Sequence, residues 1–390
     1  MLKKTVSLLI IISLFLSFSA CIKTELPELA ALRKDLDSNP AYTFYHSLSE
    51  EDKDIYTKIC YAIENYDTEK VYIGGFNSEA DHDELTEHVT YLYEHLVYEQ
   101  AQYFWADTGF NGWEFNNKLF GIYFLFFTPT YIVSEEELPS MKQQFDSRVD
   151  AITAAANEKE DTFGRVLYIY DEILSATEYD DVLAEAEEGG DLERTAYGSL
   201  VTEKTVCSGY ATALSLLMSR LGIENGVEFS SYHDENHDDR HVWNYALLDG
   251  EYYYFDATWD DTYFASSDIS PYIEYAHCYF GLTTKEFGKT HTFSDYSPAP
   301  ECNGTEYNYF LHNGYNLSEY TFRGASDILE KFSDGTFAAI RFDTEEEMEE
   351  AKADLLDREM FFSVFEDMDT VNWMESESKH HLYFFFTDKE

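Results

Sequence analysis

Apolar positions in the first third of the chain recur at helical spacing. Ile55, Ile59 and Ile63 follow one another by four, with Ser49 placed to cap the helix that carries them, and Leu85, Val89, Leu92 and Leu96 form a second stripe. Cys60 shares the face of Tyr56, Ile59 and Ile63 and reads as a core residue. The run LFGIYFLFFTPTYIV (119–133) is aromatic and β-branched, ends in a proline turn and predicts a buried strand. Residues 161–180 return to helical spacing. In the tail, GTFAAIRF (335–342) predicts a strand and DTEEEMEEAKADLL (343–356) a helix with a solvated charged face. MFFSVF (360–365) and HLYFFF (381–386) predict two further strands, giving a small β-α-β-β unit.

Two patterns between 203 and 260 carry more information. In EKTVCSGYATALSLLMSRLGI (203–223), Tyr210, Leu214, Leu217, Met218 and Leu221 fall on one helical face and Thr212, Ser215 and Ser219 on the other, with Gly222 as a natural stop. Cys207 then sits in the first turn of an amphipathic helix, where unpaired N–H groups and the positive end of the dipole are concentrated. That setting suits a nucleophilic thiolate and a developing oxyanion, although one helix-tip cysteine taken alone is as well explained by packing. Downstream, HVWNYALLDGEYYYFDATWDD (241–261) has alternating apolar runs around Asp249-Gly250, the signal of a two-residue hairpin turn. If 248 faces 251, Tyr245 faces Tyr254, Trp243 faces Asp256 and His241 faces Thr258. His241 and Asp256 become diagonal neighbours on one side of the sheet, roughly 5–7 Å apart at Cβ. A carboxylate there fixes the tautomer of the imidazole and stabilises its cation, which is what a base serving a cysteine nucleophile needs.

Composition narrows the setting. Asp and Glu number 76 against 26 Lys and Arg, a formal charge of −50, and a surface this acidic repels phosphate backbones and anionic lipid heads, so nucleic acid is excluded as a partner. The N-terminus reads MLKKTVSLLIIISLFLSFSAC. Lys3 and Lys4 form a positive region, Val6 to Leu16 an apolar one too short to span a bilayer comfortably, and Ser19 and Ala20 lead to Cys21. This resembles a bacterial lipoprotein signal with Cys21 as the lipidated residue, although Phe18 stands where an aliphatic residue is more usual. The expectation is an exported protein held at the cell envelope by a lipid anchor, its only membrane contact. Four cysteines remain in the mature chain and make no disulfide framework, though an oxidising compartment would allow Cys278 to pair with Cys302.

The two motifs together resemble the transglutaminase-like superfamily, in particular its bacterial extracytoplasmic members. The likeness rests on Cys207 with Gly209, Tyr210 and Ala211; on His241 with Trp243 and Asn244; and on Asp256 with Thr258, Trp259 and Asp260. YDEILSATEYD (170–180) and AYGSLVTEK (196–204) also resemble the segments that precede the family's cysteine. The resemblance is specific over about 165–262 and looser to about 300. It implies an α+β, papain-like core, with the cysteine helix packed on an antiparallel sheet that bears the histidine and aspartate. It also implies acyl transfer on a protein or peptide amide, with Cys207 as nucleophile, His241 as general base and acid, and Asp256 as orienter, and with neither cofactor nor metal. Hydrolysis leads as the reading, with amine cross-linking and a non-catalytic binding role as alternatives. Tyr197, Trp243 and Trp259 either line the cleft or pack. SSYHDENHDDRH (230–241), with His233 and His237, is either a metal site or an acidic loop at its mouth, and His291 lies outside any motif. The organisation expected is a signal at 1–20, a linker at 21–40, a mainly helical region at 41–160, the catalytic domain at 161–302 and a small α/β domain at 303–390.

Overall fold

Ser49 does cap a helix. Its hydroxyl accepts the N–H of Asp52 at 3.2 Å, and the helix that follows, Glu50–Glu64 (α2), buries Ile55, Ile59, Cys60 and Ile63. The computed structural model describes residues 27–77, 82–108, 112–119, 122–186, 190–230, 241–262, 276–293, 299–333, 337–366, 368, 370–376 and 380–386. The signal segment with Cys21, and the His233 and His237 segment, lie outside them. Among the described residues no helix is long and apolar enough to cross a membrane.

The chain forms two compact units. The first takes in α2, a preceding helix Pro27–Ser38 (α1), residues His82–Tyr93 of the helix His82–Glu99 (α3), and an antiparallel sheet ordered β1-β3-β2 from Val71–Asn77 (β1), Gly112–Leu119 (β2) and Ile122–Thr128 (β3). Residues 27–38 were expected as linker. They form a helix because Leu29, Leu32 and Leu36 fall on one face, and Leu36 is 3% exposed. The strand predicted at 119–133 is β3, buried on one face through Leu125 and Phe127. Its partner β2 was missed, because Trp-Glu-Phe-Asn-Asn-Lys-Leu does not read as a buried run.

The second unit holds residues 131–390 with 41–44 and 94–110. Helices Leu138–Ala156 (α4) and Thr162–Ala176 (α5) lead to a short parallel pair, Glu178–Tyr179 (β4) beside Lys204–Thr205 (β5), and then to the cysteine helix Cys207–Arg220 (α6). Asp161 caps α5, accepting the Gly164 N–H at 2.7 Å. The helix α6 packs on a sheet ordered β6-β7-β8-β9, from Asn225–Phe229 (β6), Val242–Leu248 (β7), Glu251–Phe255 (β8) and Phe280–Leu282 (β9). The hairpin register is the expected one: Asn244 faces Phe255, Tyr245 faces Tyr254 and Leu248 faces Glu251. Asp249 and Gly250 both have positive φ (50° and 95°), as this two-residue turn demands.

Three expectations are corrected. First, α6 is not amphipathic toward solvent, since all its residues from Gly209 to Met218 are buried. Its polar side finds partners inside the protein: Ser215 Oγ donates to Asn225 Oδ1 at 2.8 Å, and Asn225 Nδ2 donates to Ser219 Oγ at 3.0 Å. Second, β8 ends at Phe255, and residues Ala257–Thr262 are a helix (α7) rather than strand. Asp256 sets that change, because Oδ1 accepts the Trp259 N–H at 3.0 Å, the bond of an N-cap. Third, MFFSVF is no strand. Met360–Ser363 is a tight helical turn, and the strand comes later.

The tail follows helix Thr284–Phe287 (α8) and holds helices Phe322–Leu329 (α9) and Glu345–Lys352 (α10). Its sheet is ordered β10-β11-β13-β12, from Asn316–Leu317 (β10), Phe337–Phe342 (β11), Val371–Ser376 (β12) and His381–Phe386 (β13). Strand alternation divides its core in two. Ala338, Ile340, Phe342, Leu382 and Phe384 pack with the tail's own helices, beside Ile328, Met348 and Leu355. Ala339, Tyr383 and Phe385 point the other way and share a core with Trp243, Tyr245, Tyr254, Leu282 and Phe287. Arg341 ties the same side down through Glu286 at 2.6 Å and Asn316 at 2.8 Å. The runs FAAIRF and HLYFFF are almost unbroken in hydrophobicity because both faces are covered.

A truncation on the shared face therefore costs the whole second unit. Phe385→Ala (Phe385 is 2% exposed) is expected to destabilise it by about 3–5 kcal/mol. Trp373→Ala (Trp373 is 40% exposed, with Lys352 Nζ 5.5 Å from the ring centre) costs under about 1 kcal/mol. Urea melts followed by tryptophan fluorescence compare the two, and equal midpoints would refute the shared core.

Candidate active site

The segment before α6 fixes its tip. Thr205 Oγ1 donates to the Glu193 carbonyl, and Ser208 Oγ donates to the Arg194 carbonyl at 2.8 Å. Gly209 makes this seat possible, since a Cβ there would come within 1.8 Å of Thr205 Oγ1 and 2.9 Å of the Thr195 carbonyl. Cys207 is the first residue of the helix, a free thiol at intermediate exposure, packed against Ala211, Val227 and Val242.

His241 lies one residue before β7. Its backbone is held at both polar groups by one residue: the His241 N–H donates to Ser230 Oγ at 2.8 Å, and the Ser230 N–H donates to the His241 carbonyl at 2.9 Å. The ring is nearly parallel to Trp259 (centroids 5.6 Å apart). Nε2 meets Asp256 Oδ2 at 2.6 Å, and the Cys207 thiol is close enough to influence the ring's protonation. Burial works to lower the His241 pKa, but the charge and hydrogen bond of Asp256, with a smaller part from Cys207, lift it to about 10.

Asp256 is 1% exposed. Burial alone would raise its pKa. The hydrogen bonds and charges of His241 and then His291 instead hold it well below the usual carboxylate range. Sequence reasoning missed that second histidine. His291 Nε2 lies 2.9 Å from Asp256 Oδ2, its ring is stacked 3.8 Å from Phe287, and its Nδ1 is 3.0 Å from Thr290 Oγ1. Nothing in GKTHTFSDY marks it, because the contact spans 35 residues and depends on the turn after α8.

Tyr179 was missed as well. The β4–β5 pairing sets it opposite Thr205, two residues before the cysteine, and burial followed by the charge of Cys207 pushes its hydroxyl up to about 12. The hydroxyl stays protonated beside the thiol. The other two acids of the DATWDD segment brace α7. Asp260 accepts the Tyr170 hydroxyl at 2.6 Å and the Tyr279 N–H at 3.1 Å, and Asp261 accepts the Tyr210 hydroxyl of the cysteine helix at 2.7 Å.

The three aromatic residues weighed for the cleft divide. Trp259 is half-buried and shelters His241 and His291. Trp243 (1% exposed) points into the core shared with the tail, and Tyr197 (5% exposed) packs between Phe104 and Phe145. Both are packing residues. Cys278 and Cys302 are free, buried thiols: Cys278 Sγ contacts the Tyr383 hydroxyl and Cys302 Sγ the Pro300 carbonyl. Among the described residues, one set has donor atoms convergent enough for a metal ion, namely His241, Asp256 and His291, within 4.8 Å of one another. Those atoms are already engaged in the hydrogen bonds given above.

A helix-tip cysteine, a histidine just before a strand and an aspartate just after its neighbour meet in an α+β fold, and residues 148–257 match the sequence model of the transglutaminase-like superfamily. Over those residues the chain is similar to that superfamily. Among solved structures, the chain is similar to a TGase at 16% identity, covering 38% of this chain and 43% of that one with a TM-score of 0.27. It is similar to a candidate cysteine protease from Cytophaga hutchinsonii at 16% identity, covering 39% and 63% with a TM-score of 0.24. A candidate protease from Parabacteroides distasonis follows at 13% identity, covering 37% and 35% with a TM-score of 0.20. The chain thus spans about two fifths to two thirds of the first two of these. No curated protein matches it.

The bracing of α7 has a pH signature. Burial raises Asp261 to about 6, against the opposing pull of its bonds from Tyr210 and the Tyr179 backbone. Its value in the unfolded chain is near 3.8, so the folded state binds the extra proton between those limits, and stability falls as pH rises from about 4 to about 6. Asp261→Asn removes the titration. In thermal melts across pH 4 to 7, the wild type is expected to lose midpoint relative to the variant over that window, and parallel curves would contradict the assignment.

Proposed function

We propose that this chain is a cysteine-dependent acyl-transfer enzyme acting on amide bonds of proteins or peptides, with hydrolysis as its reaction. The observation that carries the reading is the bond of 2.6 Å between His241 Nε2 and Asp256 Oδ2, with the Cys207 thiol at the helix tip close enough to influence the same ring. In this reading the Cys207 proton passes to His241, and the thiolate attacks the amide carbonyl carbon. N–H groups of the first turn of α6 receive the oxyanion. The tetrahedral intermediate collapses as His241 protonates the departing nitrogen, leaving a thioester on Cys207. A water molecule then gives its proton to His241 and attacks the thioester, which releases the acid and restores the thiol. Asp256 stays ionised throughout and stabilises the imidazolium. Tyr179, kept protonated, offers a further donor at the cysteine. Export and lipidation at Cys21 belong to the same proposal and rest on the N-terminal pattern of Lys3, Lys4, the apolar run to Leu16 and the Ser19-Ala20-Cys21 junction.

Labelling with iodoacetamide near neutral pH tests the nucleophile. Cys207 is expected to react fastest among Cys60, Cys207, Cys278 and Cys302, and His241→Ala to slow it; uniform slow labelling of all four would end the proposal. Asp256→Asn is expected to lower turnover on casein by roughly 10²- to 10⁴-fold. Adding a fluorescent primary amine to that assay decides the acceptor. Peptide release without amine incorporation fits hydrolysis, whereas Cys207-dependent incorporation moves the assignment to cross-linking.

A further inference from the structure

We propose that His291 is a positioning residue for the Asp256 carboxylate: by sharing Oδ2 with His241 it limits how tightly His241 holds its proton. This rests on the acyl-transfer reading and deepens it. Oδ1 of Asp256 is taken by the Trp259 N–H at 3.0 Å, while Oδ2 accepts from His241 Nε2 at 2.6 Å and from His291 Nε2 at 2.9 Å. Two donors on one oxygen compete for the same charge. Asp256 is 1% exposed and the His291 side chain 2%, which leaves little room for water to compensate either of them.

His291 is built to donate. Phe287 stacks on one side at 3.8 Å and Trp259 packs against it at 4.2 Å. Nδ1 lies 3.0 Å from the Thr290 hydroxyl, and because an ionised carboxylate can only accept, the Nε2 that meets Asp256 at 2.9 Å carries a ring proton. The groups around this pair come from every neighbouring element. They are Cys207 of α6, Tyr170 of α5, Tyr179 of β4, His241 before β7, Asp260 of α7 and Tyr279 before β9. The three tyrosines are held protonated by burial. Asp256 is thus one charge shared between two imidazole donors. A catalytic base works best when it can also release its proton near working pH, and an undivided buried carboxylate would oppose release. Mere packing between Phe287 and Trp259 needs a ring and no N–H.

The test separates the ring from the donor. In His291→Phe the charge of Oδ2 falls wholly to His241, so its imidazolium persists to higher pH. The alkaline limb of the His241 titration, followed by histidine ¹⁵N NMR, is expected to move up by about 0.5–1 pH unit. His291→Gln, whose amide nitrogen can reach the Nε2 position, is expected to keep the wild-type limb. An unmoved or downward-shifted limb in a folded Phe variant overturns the proposal. If the Phe variant does not fold, histidine ¹⁵N NMR of the wild type decides: a neutral ring with its proton on Nε2 supports the role, and a cation or an Nδ1–H tautomer overturns it. His241→Ala run in the iodoacetamide assay keeps the two readings apart. If it leaves Cys207 alkylation unchanged, the acyl-transfer reading fails; if it slows alkylation while the Phe limb stays put, only the role of His291 fails.

Discussion

The second unit is organised around a buried negative charge. Asp256 has almost no contact with solvent, and an ionised carboxylate in such a place survives only if donors replace the lost water. Meeting that demand dictates much of the local architecture. Strand β8 must end at Phe255 so that the next residue can cap α7 and receive the Trp259 N–H. The Asp256 N–H itself bonds to the Tyr279 carbonyl, which draws in the segment leading to β9, and the turn after α8 must deliver His291. One side chain thereby joins strand end, helix start, base and a distant turn, and removing its partners one at a time would leave a charge without compensation.

The two faces of the sheet β6-β7-β8-β9 serve different ends. On one, β7 places Val242 and Asn244 against the cysteine helix, and Asn244 Nδ2 donates to the Ala211 carbonyl at 2.9 Å, holding helix and strand in register. On the other, Trp243, Tyr245 and Tyr254 join a core completed by Ala339, Tyr383 and Phe385 of the tail. Phe287 belongs to that core and also stacks on His291, so packing in the tail is continuous with the surroundings of the Asp256 carboxylate. The C-terminal sheet is therefore a structural wall of the second unit, a role that its separate pattern of elements does not announce.

What could be read from the sequence was local. The Asp249-Gly250 turn sets a register over a dozen residues, and that register placed Asp256 near His241 because hairpin geometry leaves little choice. Ser49 and the four-residue spacing of the isoleucines defined α2 for the same reason. What failed depended on partners far along the chain. Ser215 and Ser219 looked solvent-facing until Asn225 met them, and Trp243 looked available to the cleft until the tail covered it. MFFSVF has the composition of a strand, but its aromatic residues pack from a turn, with Phe361 buried beside Phe384. His291 carries no local pattern at all. Its place comes from Thr290, Phe287 and Trp259 meeting across separate elements.

The two bonds between Ser230 and His241 have a consequence for how this protein can vary. One serine thus holds both polar groups of the His241 backbone, so a change at Ser230 is felt directly where the imidazole is attached.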